Sequence, residues 1–256
     1  LIAKMFAQGL FALDCGSIYV DKGNVLTYRV DVGKKVEVPI FAFLIKSEKE
    51  NLLFDTGVDL DDHDFLTPLG KDIKMNEEDF ILNRLRNIGL SPEQINYVFI
   101  SHLHFDHSGL LRYFKKARLF IQRQEYGYAI NPPPFAEPLY RRHYYNSPAL
   151  SWQVLEGDES LMPGVTAIST PGHTPGHQSL MVNLPEGGTI ILTGDCAYLS
   201  ENIEKEIIPG LFMDPLQALH SLKKLKNLAQ ITGGKMLYSH SPELRKTLKK
   251  SPELYR

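Results

Sequence analysis

The sequence predicts a layered α/β fold, and three observations carry that prediction. Short apolar stretches bounded by turn residues recur along the chain, helical patterns separate some of them, and most of these stretches run into a loop rich in Asp, His or Gly. Strands are expected at Val36–Ile45, Leu52–Phe54, Tyr97–Ile100, Leu119–Gln122, Val165–Ser169, Ser179–Leu184, Thr189–Thr193 and Met236–Tyr238. One helix is expected from Glu77 to Ile88 with Asn76 as its N-cap. A second is expected from Pro215 to Ala229, with Asp214 as N-cap and Leu216, Leu219, Leu222 and Leu225 along one apolar face. The stretch from Asn131 to Trp152 joins a proline run to clustered aromatics and reads as an ordered excursion.

A chain of 256 residues can bury one sizeable core, and no shift in composition marks a boundary, so a single domain over residues 1–256 is expected. Apolar residues make up 43% and charged residues 23%, which excludes a disordered or fibrous chain. The net charge of −2 leaves no basic footprint for a phosphate backbone, so nucleic acid is excluded as a partner. Cys15 and Cys196 stand far apart, without the spacing of a disulfide framework or a thiolate zinc knuckle, and suit a reducing cytoplasm. No targeting segment and no membrane-spanning run are expected.

The chemistry concentrates at Ser101-His102-Leu103-His104-Phe105-Asp106-His107. Four groups able to bind a metal fall within six residues directly after a predicted strand, where a loop can turn them inward together. Two metals need more donors, and three qualify by following a strand at a turn: His173 in Thr170-Pro171-Gly172-His173, Asp195 in Thr193-Gly194-Asp195, and His240. His177 reads as a supporting or packing histidine, and Asp55 as a carboxylate that accepts a hydrogen bond from a ligand imidazole and fixes its tautomer. His63, His143 and His220 read as ordinary surface or core residues.

With these residues in view, the chain resembles the metallo-β-lactamase superfamily and, within it, the N-acyl homoserine lactonases that quench quorum sensing. The resemblance runs nearly the whole length, through Phe54-Asp55-Thr56-Gly57, Ser101 to Gly109, Gln122-Arg123-Gln124-Glu125-Tyr126, Glu156-Gly157-Asp158, Pro163-Gly164-Val165, Thr170 to Leu180 and Thr193 to Tyr198. The HxHxDH run points to the superfamily; Tyr198 three residues after Asp195, followed by Glu201-Asn202, points to the lactonase branch. The resemblance implies a four-layer αββα sandwich. It also implies two divalent ions, zinc first, with iron, cobalt or manganese compatible with the same donors. One would be held by His102, His104 and His173, the other by Asp106, His107 and His240, with Asp195 bridging. The last ligand departs from the usual Gly-His-Asp, standing here in Ser239-His240-Ser241.

The implied reaction is opening of the lactone ring of an N-acyl homoserine lactone by a hydroxide bridging the two metals. Tyr198 would steady the developing oxyanion, and Asp106 would serve as both ligand and proton shuttle. Phe65, Leu66, Phe105, Phe135, Tyr140 and Tyr145 are the candidates for the acyl-chain wall, on position alone. A thioesterase of the glyoxalase II type and a phosphodiesterase remain alternatives on the same site, as do a non-hydrolytic di-iron protein and a structural metal site. The protein is expected as a monomer or homodimer acting on a small molecule.

Overall fold

The computed structural model describes residues 7–62, 72–249 and 253–256. Twelve strands are β1 (Gly9–Asp21), β2 (Lys35–Lys46), β3 (Asn51–Phe54), β4 (Ile73–Lys74), β5 (Tyr97–Phe99), β6 (Arg118–Gln122), β7 (Ser151–Leu155), β8 (Glu159–Met162), β9 (Val165–Ser169), β10 (Gln178–Leu184), β11 (Gly188–Leu192) and β12 (Lys235–Leu237). The α-helices are α1 (Ile81–Asn87), α2 (Phe105–Ser108), α3 (Arg123–Ile130), α4 (Arg142–Tyr145), α5 (Ser200–Lys205), α6 (Pro215–Thr232) and α7 (Pro242–Thr247). One sheet runs β4-β1-β2-β3-β5-β6-β7 and the other β12-β11-β10-β9-β8.

Period-two alternation explains how these strands build layers. Along β2, Phe41, Phe43 and Ile45 face one core, shared with Val165, Ala167, Leu180, Val182 and Leu192 of the other sheet, while Ile40, Ala42 and Leu44 face a second core shared with α1 and α3. Between the sheets Phe43, Phe54, Phe99 and Phe120 lie in register on neighbouring strands, with Phe54 and Phe99 stacked at 5.7 Å. On the far side of the second sheet Ile168, Ile191 and Cys196 pack on Leu225 of α6. Helix, sheet, sheet, helix is therefore the layer order, an α/β sandwich.

Each strand expected from the sequence is present within a residue or two at its ends. The helices need correction. The stretch 77–88 is split: a 3₁₀ turn covers Glu77–Asp79, Phe80 is extended, and α1 follows. Asp79 is spent on closing the first turn, accepting from the Asn76 N–H at 3.0 Å and from Arg84 at 2.6 Å. Helix α6 runs on to Thr232 and buries Ala218, Ser221, Leu222 and Leu225, whereas Leu216 is 68% exposed and Leu219 half-buried. A strict spacing of three drifts off a helix face; spacings of three and four stay on it. Asp214 does cap α6, accepting from the N–H groups of Leu216 and Gln217 at 2.9 and 3.0 Å. Asp214→Ala is expected to cost about 1 kcal/mol, a fall in Tm of roughly 2–4 °C by calorimetry.

Strands β1, β4, β7 and β8 lie outside the stretches read as strands. In β1 the alternation is broken by a bulge between Asp14 and Ser17, where Gly16 takes φ +94°, so neither half of the strand shows a clean period. Among the described residues, no helix is long and apolar enough to cross a membrane. Cys15 and Cys196 are both free and buried.

Candidate metal centre

The parallel strands β3, β5 and β6 point their C-terminal ends to one edge of the first sheet, and the loops after β9, β11 and β12 meet them there from the second. His102 and His104 leave β5, Asp106 and His107 sit on α2, His173 lies between β9 and β10, Asp195 follows β11, and His240 follows β12. The sheets are stitched at this edge by Gln178, whose backbone N–H donates to Ser101 O at 3.0 Å and whose amide donates to Ile100 O at 2.8 Å.

The seven groups meet in two sets joined by one carboxylate. His102 Nε2, His104 Nδ1 and His173 Nε2 lie 3.0–3.2 Å from one another. His107 Nε2 lies 3.3 Å from His240 Nε2, with the Asp106 carboxylate 3.7 and 3.8 Å from the two. Asp195 stands between: Oδ1 is 3.3 Å from His107 and 3.2 Å from His240, and Oδ2 is 3.7 Å from His102 and 3.4 Å from His173.

Hydrogen bonding on the outer side of each ring fixes which nitrogen carries the proton. His173 Nδ1 donates to Leu211 O at 2.9 Å, His240 Nδ1 to Pro39 O at 2.8 Å, and His107 Nδ1 to the Asp55 carboxylate at 2.8 Å. The Ser101 hydroxyl donates to Asp55 at 2.8 Å, so it accepts from His102 Nδ1 at 3.0 Å. Each of these four rings therefore aims Nε2 inward, and in the neutral form that cation binding requires each presents a lone pair there. Buried Asp195 Oδ1 also lacks a hydrogen-bond partner among the described residues. Converging imidazole lone pairs and carboxylate oxygens, within 4.8 Å in each group, are the donor set of divalent cations.

Charge is distributed unevenly across the two sets. Burial, reinforced by neighbouring imidazoles, holds His102 and His104 well below the ordinary imidazole range, and burial lowers His173 as well. Burial also disfavours charge on His107 and His240, but Asp195 outweighs it and raises both. Asp195 itself is driven well below the usual carboxylate range by His107 and His240, against its own burial.

Over residues 36–240 the chain matches the metallo-beta-lactamase superfamily. It is 33% identical to an N-acyl homoserine lactonase of Bacillus thuringiensis, covering 97% of this chain and 99% of that one. The chain belongs to the metallo-beta-lactamase superfamily, among the N-acyl homoserine lactonases. The AttM lactonase of Azorhizobium caulinodans is 32% identical over 96% of this chain and 98% of its own. A solved N-acyl homoserine lactone hydrolase, with the product N-hexanoyl-L-homoserine at its catalytic metal centre, superposes with a TM-score of 0.87 at 31% identity, covering 98% of this chain and all of that one. The protein is thus a metallo-beta-lactamase-fold hydrolase that works with two metal ions.

Around the donors, the lactonase-family chain places further residues. Asp55, at φ +60°, accepts from the Ser101 N–H at 2.7 Å as well as from His107. His177 donates toward Thr170 through Nδ1 and accepts the Asp195 N–H at 2.9 Å through Nε2, so it holds the Asp195 loop without reaching a metal group. Tyr198 is buried, with its ring 5.3 Å from His240 and 6.0 Å from His173 and its phenol in the field of the Asp195 carboxylate. Burial and the Asp195 charge push its phenol well above the ordinary range, so it stays a donor.

A cavity of about 530 Å³ opens from the donors, and His104, Asp106, Asp195, Tyr198 and His240 line it. Much of the remaining lining is aliphatic: Ile18, Val20, Val25, Leu26, Val38 and Leu211. Of the six acyl-wall candidates read from the sequence, three lie away from this cavity: Phe135, Tyr140 and Tyr145. Phe105 does line the cavity. Phe135 is 74% exposed and outside it. Tyr145 is buried with its hydroxyl on Ala129 O at 2.7 Å, and Tyr140 turns its hydroxyl to Glu125 at 3.2 Å behind His104. Phe65, Leu66 and His63 lie outside the described residues. His143 is exposed beside Asp62, and His220 is exposed on α6.

Glu125 of α3 was not assigned a role from the sequence. It is fully buried and accepts from Leu103 N–H at 2.9 Å, Thr174 Oγ1 at 2.6 Å, Gly176 N–H at 3.3 Å and the Tyr140 hydroxyl. One carboxylate therefore ties the His102–His104 loop to the His173 loop. A Cβ on Gly176 would lie 2.0 Å from the Glu125 nitrogen, which is why a glycine stands there. Glu125→Ala strands four buried donors and is expected to cost at least about 3 kcal/mol in denaturant unfolding.

Proposed function

We propose that this centre opens the lactone ring of N-acyl homoserine lactones, with zinc as the resident metal. The observation that carries the reading is the mixed lining of the cavity, polar donors and a phenol together with a run of aliphatic side chains. An acylated lactone is amphiphilic in the same sense: the ring needs the donors and the acyl chain needs an apolar wall. His102, His104 and His173, with Asp106, His107 and His240 and the shared Asp195, would hold two divalent ions, which would supply Lewis acidity and lower the pKa of water.

The chain's own groups do the rest. The Tyr198 hydroxyl is aimed at the donor cluster and donates to the carbonyl oxygen as charge develops on it. Asp106, whose side chain is 15% exposed at the cavity floor, takes the proton of the attacking water and returns it to the alkoxide released by ring opening. Among the described residues Arg141 is the one arginine or lysine that lines the cavity, and its guanidinium holds Asp62 at 2.8 and 3.0 Å. A thioester or phosphodiester carrying anionic groups calls for cations turned to the substrate, so the lactone is favoured.

Proton release on butanoyl, hexanoyl and decanoyl homoserine lactones tests the reading; a two-metal preparation that releases no protons from any of them overturns it. Val20→Ser is expected to raise KM for the decanoyl lactone about fivefold, roughly 1 kcal/mol of lost apolar contact, and to change the butanoyl value less than about twofold. Equal shifts for both chain lengths would move the acyl chain off this wall.

A further inference from the structure

Asn202 on α5 is fully buried and spends its whole hydrogen-bonding capacity on two structures at once. Its carbonyl oxygen accepts from the N–H groups of Tyr198 at 3.1 Å and Leu199 at 2.8 Å. Its amide nitrogen donates to Leu26 O and to Ile207 O, each at 2.8 Å. Leu26 lines the cavity and packs with Val38, Tyr198 and Leu199 in one small apolar cluster. The same strip of wall is fastened again further on: Tyr28 N–H donates to Ile208 O at 2.9 Å and Gly210 N–H to Val25 O at 2.8 Å, next to Leu211, whose carbonyl accepts from His173. At the surface, Lys22 pairs with Glu201 at 3.1 Å across the same seam.

We propose that Asn202 is a positioning residue that joins the aliphatic wall at Leu26 to the backbone carrying Tyr198, so that the seat of the acyl chain and the hydroxyl donor are held as one piece. The proposal rests on the lactone reading above. Only a carboxamide fits both halves: a carboxylate could keep the two N–H groups but would face the carbonyls of Leu26 and Ile207 with a second acceptor. A helix cap with no other duty would affect stability alone. A joint between wall and Tyr198 affects turnover through Tyr198 and chain-length discrimination through Leu26.

The test is kcat and KM on butanoyl and decanoyl homoserine lactones for Asn202→Ala and Asn202→Asp, each alone and with Tyr198→Phe, with metal content and Tm measured on every preparation. Asn202→Ala is expected to lower kcat about tenfold on both substrates while adding less than about twofold once Tyr198 is already Phe. Asn202→Asp is expected to keep kcat on the butanoyl substrate within about twofold of wild type and to raise KM for the decanoyl substrate about fivefold. Should Asn202→Ala not accumulate as a folded chain, the Asn202→Asp cycle decides alone. Independent effects of Asn202 and Tyr198 on kcat, or an unchanged decanoyl KM in Asn202→Asp, overturn the proposal while leaving the lactone reading intact. Wild-type protein that opens no lactone overturns the parent reading and this proposal with it.

Discussion

Replacing Asp195 by alanine is expected to lower kcat/KM by at least about 10³-fold, equivalent to several kcal/mol of lost Lewis-acid stabilisation, and to leave fewer than two metal ions per chain. Asp195 is the one carboxylate that faces both imidazole sets, within 3.2–3.7 Å of His102, His107, His173 and His240. Its loss also removes the negative charge beside the Tyr198 phenol. Elemental analysis beside lactone turnover checks both parts. A variant that retains two metals and wild-type turnover would show that the two sets are not joined through this residue.

Tyr198→Phe carries the second large effect. Losing one preorganised donor to a developing oxyanion costs about 10²–10³ in kcat in comparable sites, and a similar fall is expected here with metal content and KM little changed. The ring stays, so its packing with Val38 and Leu26 stays too. Stopped-flow proton release on the hexanoyl lactone separates the outcomes. A fall in kcat at constant metal content assigns the hydroxyl to the chemistry, whereas an unchanged kcat reduces Tyr198 to a packing residue.

What could be read from the sequence followed the kind of constraint each residue obeys. Metal chemistry accepts few residue types, and a loop leaving a strand fixes their spacing, so His102, His104, Asp106, His107, His173, Asp195 and His240 stood out before any geometry was known, and the fold brings them together. The strands next to them were legible for the same reason, since an apolar run must end where a polar cluster begins. The cavity wall obeys no such rule. Ile18, Val20, Val25, Leu26 and Val38 have the composition of any core, and the bulged strand that carries the first two hides its period. The aromatic excursion drew attention instead, yet Tyr145 satisfies its hydroxyl inside the outer core and Phe135 faces solvent.

Glu125 and Asn202 were hidden differently. Each sits in the first turn of a helix, where acidic and amide residues are commonplace, and what distinguishes them is the set of distant backbone groups they satisfy. Glu125 joins a loop 22 residues before it to one 51 residues after it, and Asn202 reaches back to Leu26 across most of the chain. No local pattern records a partner at that separation. The split helix at 77–88 belongs with them, because a periodicity that suits one helix does not reveal that Asp79 is committed to Asn76 and Arg84.

The most direct test of the account is reconstitution of the metal-free protein: the chain is stripped with a chelator, zinc is returned in measured amounts, and proton release from hexanoyl homoserine lactone is followed at each addition. The account predicts no lactone opening without metal, and activity that rises with added zinc and levels off at two ions per chain. Full turnover by the stripped protein, or two tightly bound ions with no lactone opening at all, would contradict it.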